Sequence, residues 1–186
     1  MQEAALELYA TNGFDQTTTA EIATRAGVTE RTFFRHFADK REVFFEGEAA
    51  LIAMLVDGVH CAPDGDAPME VLLHAFRSVV ALVEANRPFL EPRQKVIEAI
   101  PALRERALAK AAAVTAALSA ALVERGVDYP LAMLAAQTGI AAFGYAASTW
   151  HGDSSSGLAS HLDRAFAHLH ELAQSTGLAK RRATKK

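Results

Sequence analysis

The chain nearly lacks cysteine: Cys61 stands alone, which excludes an internal disulfide. It has no apolar run approaching the roughly 20 residues that cross a bilayer. Its start, MQEAALELYA, has neither the basic opening nor the cleavage site of a signal peptide, so a cytoplasmic protein without membrane contact is expected. No segment sustains apolar–polar alternation at a period of two residues, which leaves strands without a place. There is no glycine-rich phosphate loop. His151, His161, His168 and His170 gather late in the chain without an acidic or cysteine set to complete a metal site. No metal, no cofactor and no enzyme activity are therefore expected. The net charge of −3 argues neither for nor against nucleic acid, because phosphate binding depends on local clustering.

What is present is alanine and leucine at a period near 3.6 residues, in a chain of 186 residues that is 51% hydrophobic. That pattern predicts an all-α protein of about nine helices. The expected helices are Gln2 to Asn12, Thr19 to Ala26, Glu30 to Phe37, Lys40 to His60, Met69 to Asn86, Phe89 to Ala99, Ala102 to Arg125, Pro130 to His151 and Gly157 to Ser175. CAPDGDAP, with Pro63, Gly65 and Pro68, is the clearest loop. Thr18 with Glu21 reads as a capping box, in which hydroxyl and carboxylate each take one orphan amide of the helix start. Asp39 with Glu42 repeats the spacing, Gly126 suits a left-handed helix end, and Asp128 can cap the helix that follows.

The stretch TTTAEIATRAGVTERTFFRHF, Thr17 to Phe37, packs two short amphipathic runs around Gly27. Neither run is long enough to remain helical alone in water, so each must lean on the other. Ile22, Ala23 and Ala26 form an inner face, Gly27 turns the chain, Val28 fills the junction and Thr29 caps the next run. Phe33 and Phe37 then face inward. This is the grammar of a helix-turn-helix. The outer side of the second run carries Glu30, Arg31, Thr32, Arg35 and His36, side chains able to reach base edges and phosphates in a major groove. For Arg35, a solvated salt bridge with Glu30 or Asp39 competes with that role.

The segment NGFDQTTTAEIATRAGVTERTFFRHFADKREVF resembles the N-terminal signature of the TetR family of bacterial repressors. The shared features are Gly13–Phe14, Thr17–Thr18, Ile22–Ala23, Ala26–Gly27–Val28 and the run from Phe37 to Lys40. The resemblance covers about Ala4 to Phe45. It implies a DNA-binding domain over residues 1–45 and an effector-binding and dimerisation domain over 46–176, while the basic run KRRATKK, where the helical pattern has ended, is expected to make 177–186 a disordered, solvated tail. It also implies a homodimer on a palindromic double-stranded DNA operator, acting as a repressor released by a largely apolar small molecule. An activator or a constitutive DNA binder is the alternative, and a small-molecule-binding protein or enzyme is more remote. DNA-binding positions under this resemblance are Thr18, Thr29, Arg31, Thr32, Phe34, Arg35, His36 and Lys40. Phe34 stands where the family usually has a tyrosine whose hydroxyl meets a phosphate, so that hydrogen bond is lost.

For the dimer, the small residues Ala135, Gly139, Ala142 and Ala146, with Trp150, form one stripe. Leu158, Leu162, Ala165 and Leu169 form a second seam, and both are expected at the interface. His74, Phe76, Arg77, Phe89, Thr115, Gln137 and Phe143 are the candidates to line or orient a ligand.

Overall fold

The computed structural model describes residues 1–153 and 155–175. The basic segment expected as a tail lies outside them. Along the chain run α1 (Gln2–Asn12), α2 (Thr19–Arg25), α3 (Glu30–His36), a 3-10 turn (Glu42–Phe45), α4 (Glu48–His60), α5 (Pro68–Ser78), α6 (Val80–Ala85), α7 (Arg87–Ala99), α8 (Pro101–Glu124), α9 (Tyr129–Gly152) and α10 (Leu158–Ser175). No strand occurs among the described residues. The protein is all-α, as its periodicity predicts.

Two expected helices are each divided. Val79, at φ −99 and ψ −3, separates α5 from α6, so Met69 to Asn86 holds two helices rather than one. Lys40 to His60 is broken at Gly47, whose φ of 83 lies in the left-handed region that favours glycine. The chain before that break winds as the 3-10 turn, which buries Val43, Phe44 and Phe45. Asp39 does not cap it. Its carboxylate accepts from the Arg41 backbone N–H at 2.7 Å and from the Arg41 guanidinium at 2.6 Å. Glu42 is held by Arg106, so charge-assisted partners displace the capping arrangement that the spacing suggested. Asp128 does stand at the N-cap of α9, but its side chain makes no capping bond.

By packing, the chain forms two units, one made of Met1–Leu51 with Ala85–Val114, the other of Ile52–Glu84 with the chain from Thr115 onward. The first unit therefore takes in α7 and the beginning of α8, beyond the boundary at residue 45 expected from sequence. Ile97 and Leu103 join Ala5, Tyr9, Ile22, Ala23, Phe33, Phe37 and Phe44 in its core. Burying each large side chain contributes roughly 1.5–3 kcal/mol, which is what short helices such as α2 and α3 need in order to persist. Tyr9 pins α1 to the loop after α3: its hydroxyl donates to the Lys40 carbonyl at 2.5 Å. Burial, with Asp39 adding to it, pushes the Tyr9 phenol well above its ordinary pKa.

In the second unit α9 is central and packs on α5 and α10. Leu72 and Phe76 of α5 lie against Gly139 of α9, and with Ala132, Ala136 and Ala146 of α9 and Leu158 and Leu162 of α10 they are fully enclosed. Glu84 reaches the start of α10, accepting from the Leu158 N–H at 2.6 Å. By length and composition α8 and α9 are apolar enough to span a bilayer, with mean hydropathies of 1.5 and 1.2 over 18 residues. The buried stripe of α9 is nonetheless matched here by neighbouring helices.

Candidate nucleic-acid interface

Local chemistry sets the ends of α2 and α3. At the start of α2, the Thr18 hydroxyl accepts from the Glu21 N–H at 3.2 Å while the Glu21 carboxylate takes the Thr18 N–H at 2.8 Å. This is the capping box expected from sequence, and such caps contribute about 1 kcal/mol. Hydrogen bonds donated to the carboxylate by the Thr18 N–H and the Thr18 hydroxyl hold the exposed Glu21 carboxyl below its ordinary pKa. At the other end Gly27 has φ 71, and this left-handed turn lets the Val28 N–H reach the Ala23 carbonyl at 2.9 Å. Thr29 then caps α3 by accepting from the Thr32 N–H at 3.2 Å. A hydrogen bond from the Thr19 hydroxyl to Glu30 at 2.6 Å ties the two helices across their starts.

Inside the pair, Ile22, Ala23, Phe33 and Phe37 are buried. Outside, Arg31, Arg35 and His36 are exposed, Thr32 is half-buried, and Phe34 is 53% exposed. Arg31, Thr32, Phe34 and Arg35 line one shallow recess. The neighbouring charges are already matched. Arg25 pairs with Glu7, Arg41 with Asp39, and Glu30 takes the Thr19 hydroxyl. Arg35 consequently has neither of the salt bridges considered for it. Among the described residues no carboxylate lies in ion-pair contact with Arg31 or Arg35. The outer edge of α3 thus keeps uncompensated positive charge on a rigid support.

Lys40 differs from the other expected DNA contacts. Its ammonium donates to the carbonyls of Phe14 at 2.7 Å and Thr17 at 3.0 Å, and lies 4.3 Å from the centre of the Phe14 ring. It closes the head on itself. The hydroxyls of Thr18 and Thr29 are likewise engaged in caps, although both residues are exposed.

A buried, capped helix pair with a cationic outer edge, set before a larger helical unit, defines a DNA-binding regulator of the helix-turn-helix class. The family described as bacterial regulatory proteins, tetR family, matches residues 3–46, and the family described as MftR C-terminal domain matches residues 66–174. The chain belongs to the TetR family and is a transcriptional regulator with an N-terminal helix-turn-helix domain. The HTH-type transcriptional regulator TcmR of Streptomyces glaucescens is 38% identical over 79 residues, 42% of this chain and 35% of that protein, so only about a third of that relative's length is spanned. Thermus thermophilus FadR, a TetR family repressor solved with lauroyl-CoA, is 26% identical, with 91% of each chain covered and a TM-score of 0.57. Bacillus subtilis FadR, solved with stearoyl-CoA, is 20% identical, with 89% of this chain and 94% of that one covered and a TM-score of 0.61, a likeness of fold alone.

Most of the residues expected at a dimer interface are enclosed by the chain's own packing. Ala135, Gly139, Ala142, Ala146, Trp150, Leu158, Leu162 and Ala165 are buried within their own subunit, and Leu169 is half-buried. The reason is steric. The small stripe of α9 lets α5 approach so closely that a Cβ on Gly139 would stand 3.1 Å from both Leu72 and Phe76. The free apolar residues of these helices are Leu131, Leu134 and Tyr145 on α9 and Leu172 on α10, each more than half exposed. Leu131 and Leu134, one turn apart, rim a groove of about 680 Å³ completed by Leu73, Thr138, Phe166 and Leu169.

The expected ligand residues divide between the two units. Phe89 belongs to the first unit and packs on Phe44. His74 contacts the Gly58 carbonyl at 3.0 Å, and Phe76 is buried against Phe143 with ring centres 5.1 Å apart. Arg77 pairs with Asp163 at 2.7 Å on the rim of the groove. Gln137 is exposed and Thr115 half-buried. Helical spacing marked which of these residues face a core, but carried no signal for which of them share a cavity.

Proposed function

We propose that the protein is a repressor that binds a palindromic operator as a homodimer and leaves it when an amphipathic small molecule binds. The observation that carries the DNA part is the uncompensated charge of Arg31 and Arg35 on α3, beside Arg25 and Arg41, which are both ion-paired. In this reading α3 enters the major groove. Arg31, Thr32 and His36 meet bases or backbone, Arg35 meets a phosphate, and Phe34 lies against the groove wall. Thr18, Thr29 and Lys40 keep the head rigid at its phosphate-facing edge. Phosphate contacts fix register, whereas a guanidinium on guanine is worth about 1–3 kcal/mol of discrimination.

The second copy covers the apolar side of α9 and α10 formed by Leu131, Leu134, Tyr145 and Leu172. Symmetry then sets two heads at the ~34–36 Å spacing of successive major grooves, and an effector acts by shifting the population away from that spacing. The likeness to a repressor solved with lauroyl-CoA, at 26% identity over 91% of the chain, supports an acyl thioester as effector. Fluorescence anisotropy with a palindromic fragment from upstream of the gene tests the reading. Binding should weaken steeply with salt and be reversed by lauroyl-CoA. A salt-insensitive or undetectable interaction would refute the DNA part, and an operator complex indifferent to lauroyl-CoA would refute that effector class.

A further inference from the structure

The first unit holds cations that its carboxylates do not match. Arg106 on α8 takes both nearby acids: its Nε and Nη2 donate to Glu42 at 2.7 and 3.0 Å, and Nη2 donates to Glu48 at 2.6 Å. Its guanidinium also lies 4.8 Å from the centre of the Phe45 ring. Two further cations share this neighbourhood. Arg93 of α7 donates from Nε to the Phe44 carbonyl at 2.7 Å, and its guanidinium lies 5.1 Å from the Phe45 ring centre and 5.9 Å from that of Phe44. Its Nη donors meet no acceptor among the described residues. Lys110, one turn beyond Arg106 on α8, makes no hydrogen bond or ion pair among them.

Both side chains are half-buried, Arg93 against the enclosed rings of Phe44 and Phe45 and Lys110 within reach of the charges of Arg93 and Arg106. Burial lowers the Arg93 pKa to about 10, and burial, reinforced by the charge of Arg93, lowers that of Lys110. A cation withdrawn from water without a partner is unfavourable, and an incoming oxyanion removes that penalty. The free edge of a guanidinium suits two oxygens at once, and an ammonium adds a point charge beside it.

We propose that Arg93 and Lys110 form an anion site in the first unit that holds the acidic group, carboxylate or phosphate, of a small-molecule ligand. Arg106 is a positioning residue, since it holds Glu42 and Glu48 in direct ion pairs, so that Glu48 acts on Lys110 only as a charge at longer range. The site rests on the repressor reading only for its regulatory consequence, because anion binding itself is measured without DNA.

The test is calorimetric titration of the full chain with inorganic pyrophosphate and, separately, with dodecanoate; dodecanol serves as an uncharged control. At least one of the anions should bind, and Lys110→Gln should weaken it at least tenfold while leaving the response to dodecanol unchanged. Pyrophosphate alone would identify a phosphate, and dodecanoate alone a carboxylate. Arg93→Lys keeps a charge but loses the fork, and is expected to weaken binding less than Arg93→Gln. Since Arg93→Gln also loses its Phe44 contact, Lys110→Gln is the decisive variant. The Lys110 Cε resonance, followed through a pH titration, should show its pKa rising when the anion is added. Binding of neither anion, or equal binding by wild type and Lys110→Gln, would overturn the proposal. Operator affinity without anion should be the same in both, so loss of DNA binding in wild type would count against the repressor reading alone.

Discussion

Replacing Arg31 and Arg35 together by alanine isolates the outer edge of α3 from the fold that supports it. Neither side chain has a carboxylate partner, because Glu30 takes the Thr19 hydroxyl and Asp39 is held by Arg41. Exposed substitutions of this kind change stability by no more than about 0.5 kcal/mol. On DNA the effect is large. A symmetric dimer loses two cations from each subunit, and each lost phosphate contact flattens the log–log salt slope by about 0.9, so roughly 3.6 is removed if all four meet phosphates. If Arg31 instead reads guanine, its loss costs about 1–3 kcal/mol per half-site, or about 30-fold to about 20,000-fold over both. Anisotropy titrations on the operator and on a scrambled duplex, each at several salt concentrations, separate the cases. Phosphate loss weakens both duplexes alike, whereas base loss weakens only the operator. An unchanged slope with unchanged affinity, or a melting temperature lowered by several degrees, would refute the assignment of this edge to DNA.

The dimer face is tested by a pair of substitutions. Leu134→Glu, at a site 61% exposed, should yield a folded monomer by light scattering, whereas Leu162→Ala, fully buried, should lose about 2–5 kcal/mol in denaturant melts; a Leu134→Glu protein that remains dimeric would return the interface to other residues. Adding the missing hydroxyl with Phe34→Tyr should tighten operator binding and steepen the salt slope by about 0.9 per phosphate reached; an unaltered slope would place that ring away from the backbone. The Asp39 carboxyl is held below its ordinary pKa of 3.8, first by the hydrogen bond from Arg41. A depressed folded value means stabilisation that is present above the unfolded pKa and lost as pH falls through the folded one. Asp39→Asn should therefore lower the melting temperature near neutral pH and remove part of its fall below pH 3.8; parallel melting curves for the two proteins would refute this.

How far the sequence carried depends on how far apart the interacting residues lie. The capping box of Thr18 and Glu21, the turn at Gly27 and the Thr29 cap each close within a few residues, so a short window contains both partners and the head was legible. The small stripe of α9 was also visible, but small residues allow close approach to any helix. Nothing in Ala135, Gly139 and Ala142 says whether that helix is α5 of the same chain or belongs to a second copy. The useful sign lay on the other side, where Leu131 and Leu134 stand one turn apart beyond the buried positions. The Arg93–Lys110 pair was beyond reach for a different reason. Whether a cation is unmatched depends on where every nearby acid goes, and here Arg106 draws in Glu42 and Glu48 from 64 and 58 residues away. Lysines and arginines on α7 and α8 look alike in the sequence until the two helices are set against the 3-10 turn. Only then do three cations face two carboxylates, and the imbalance becomes a property of the packing.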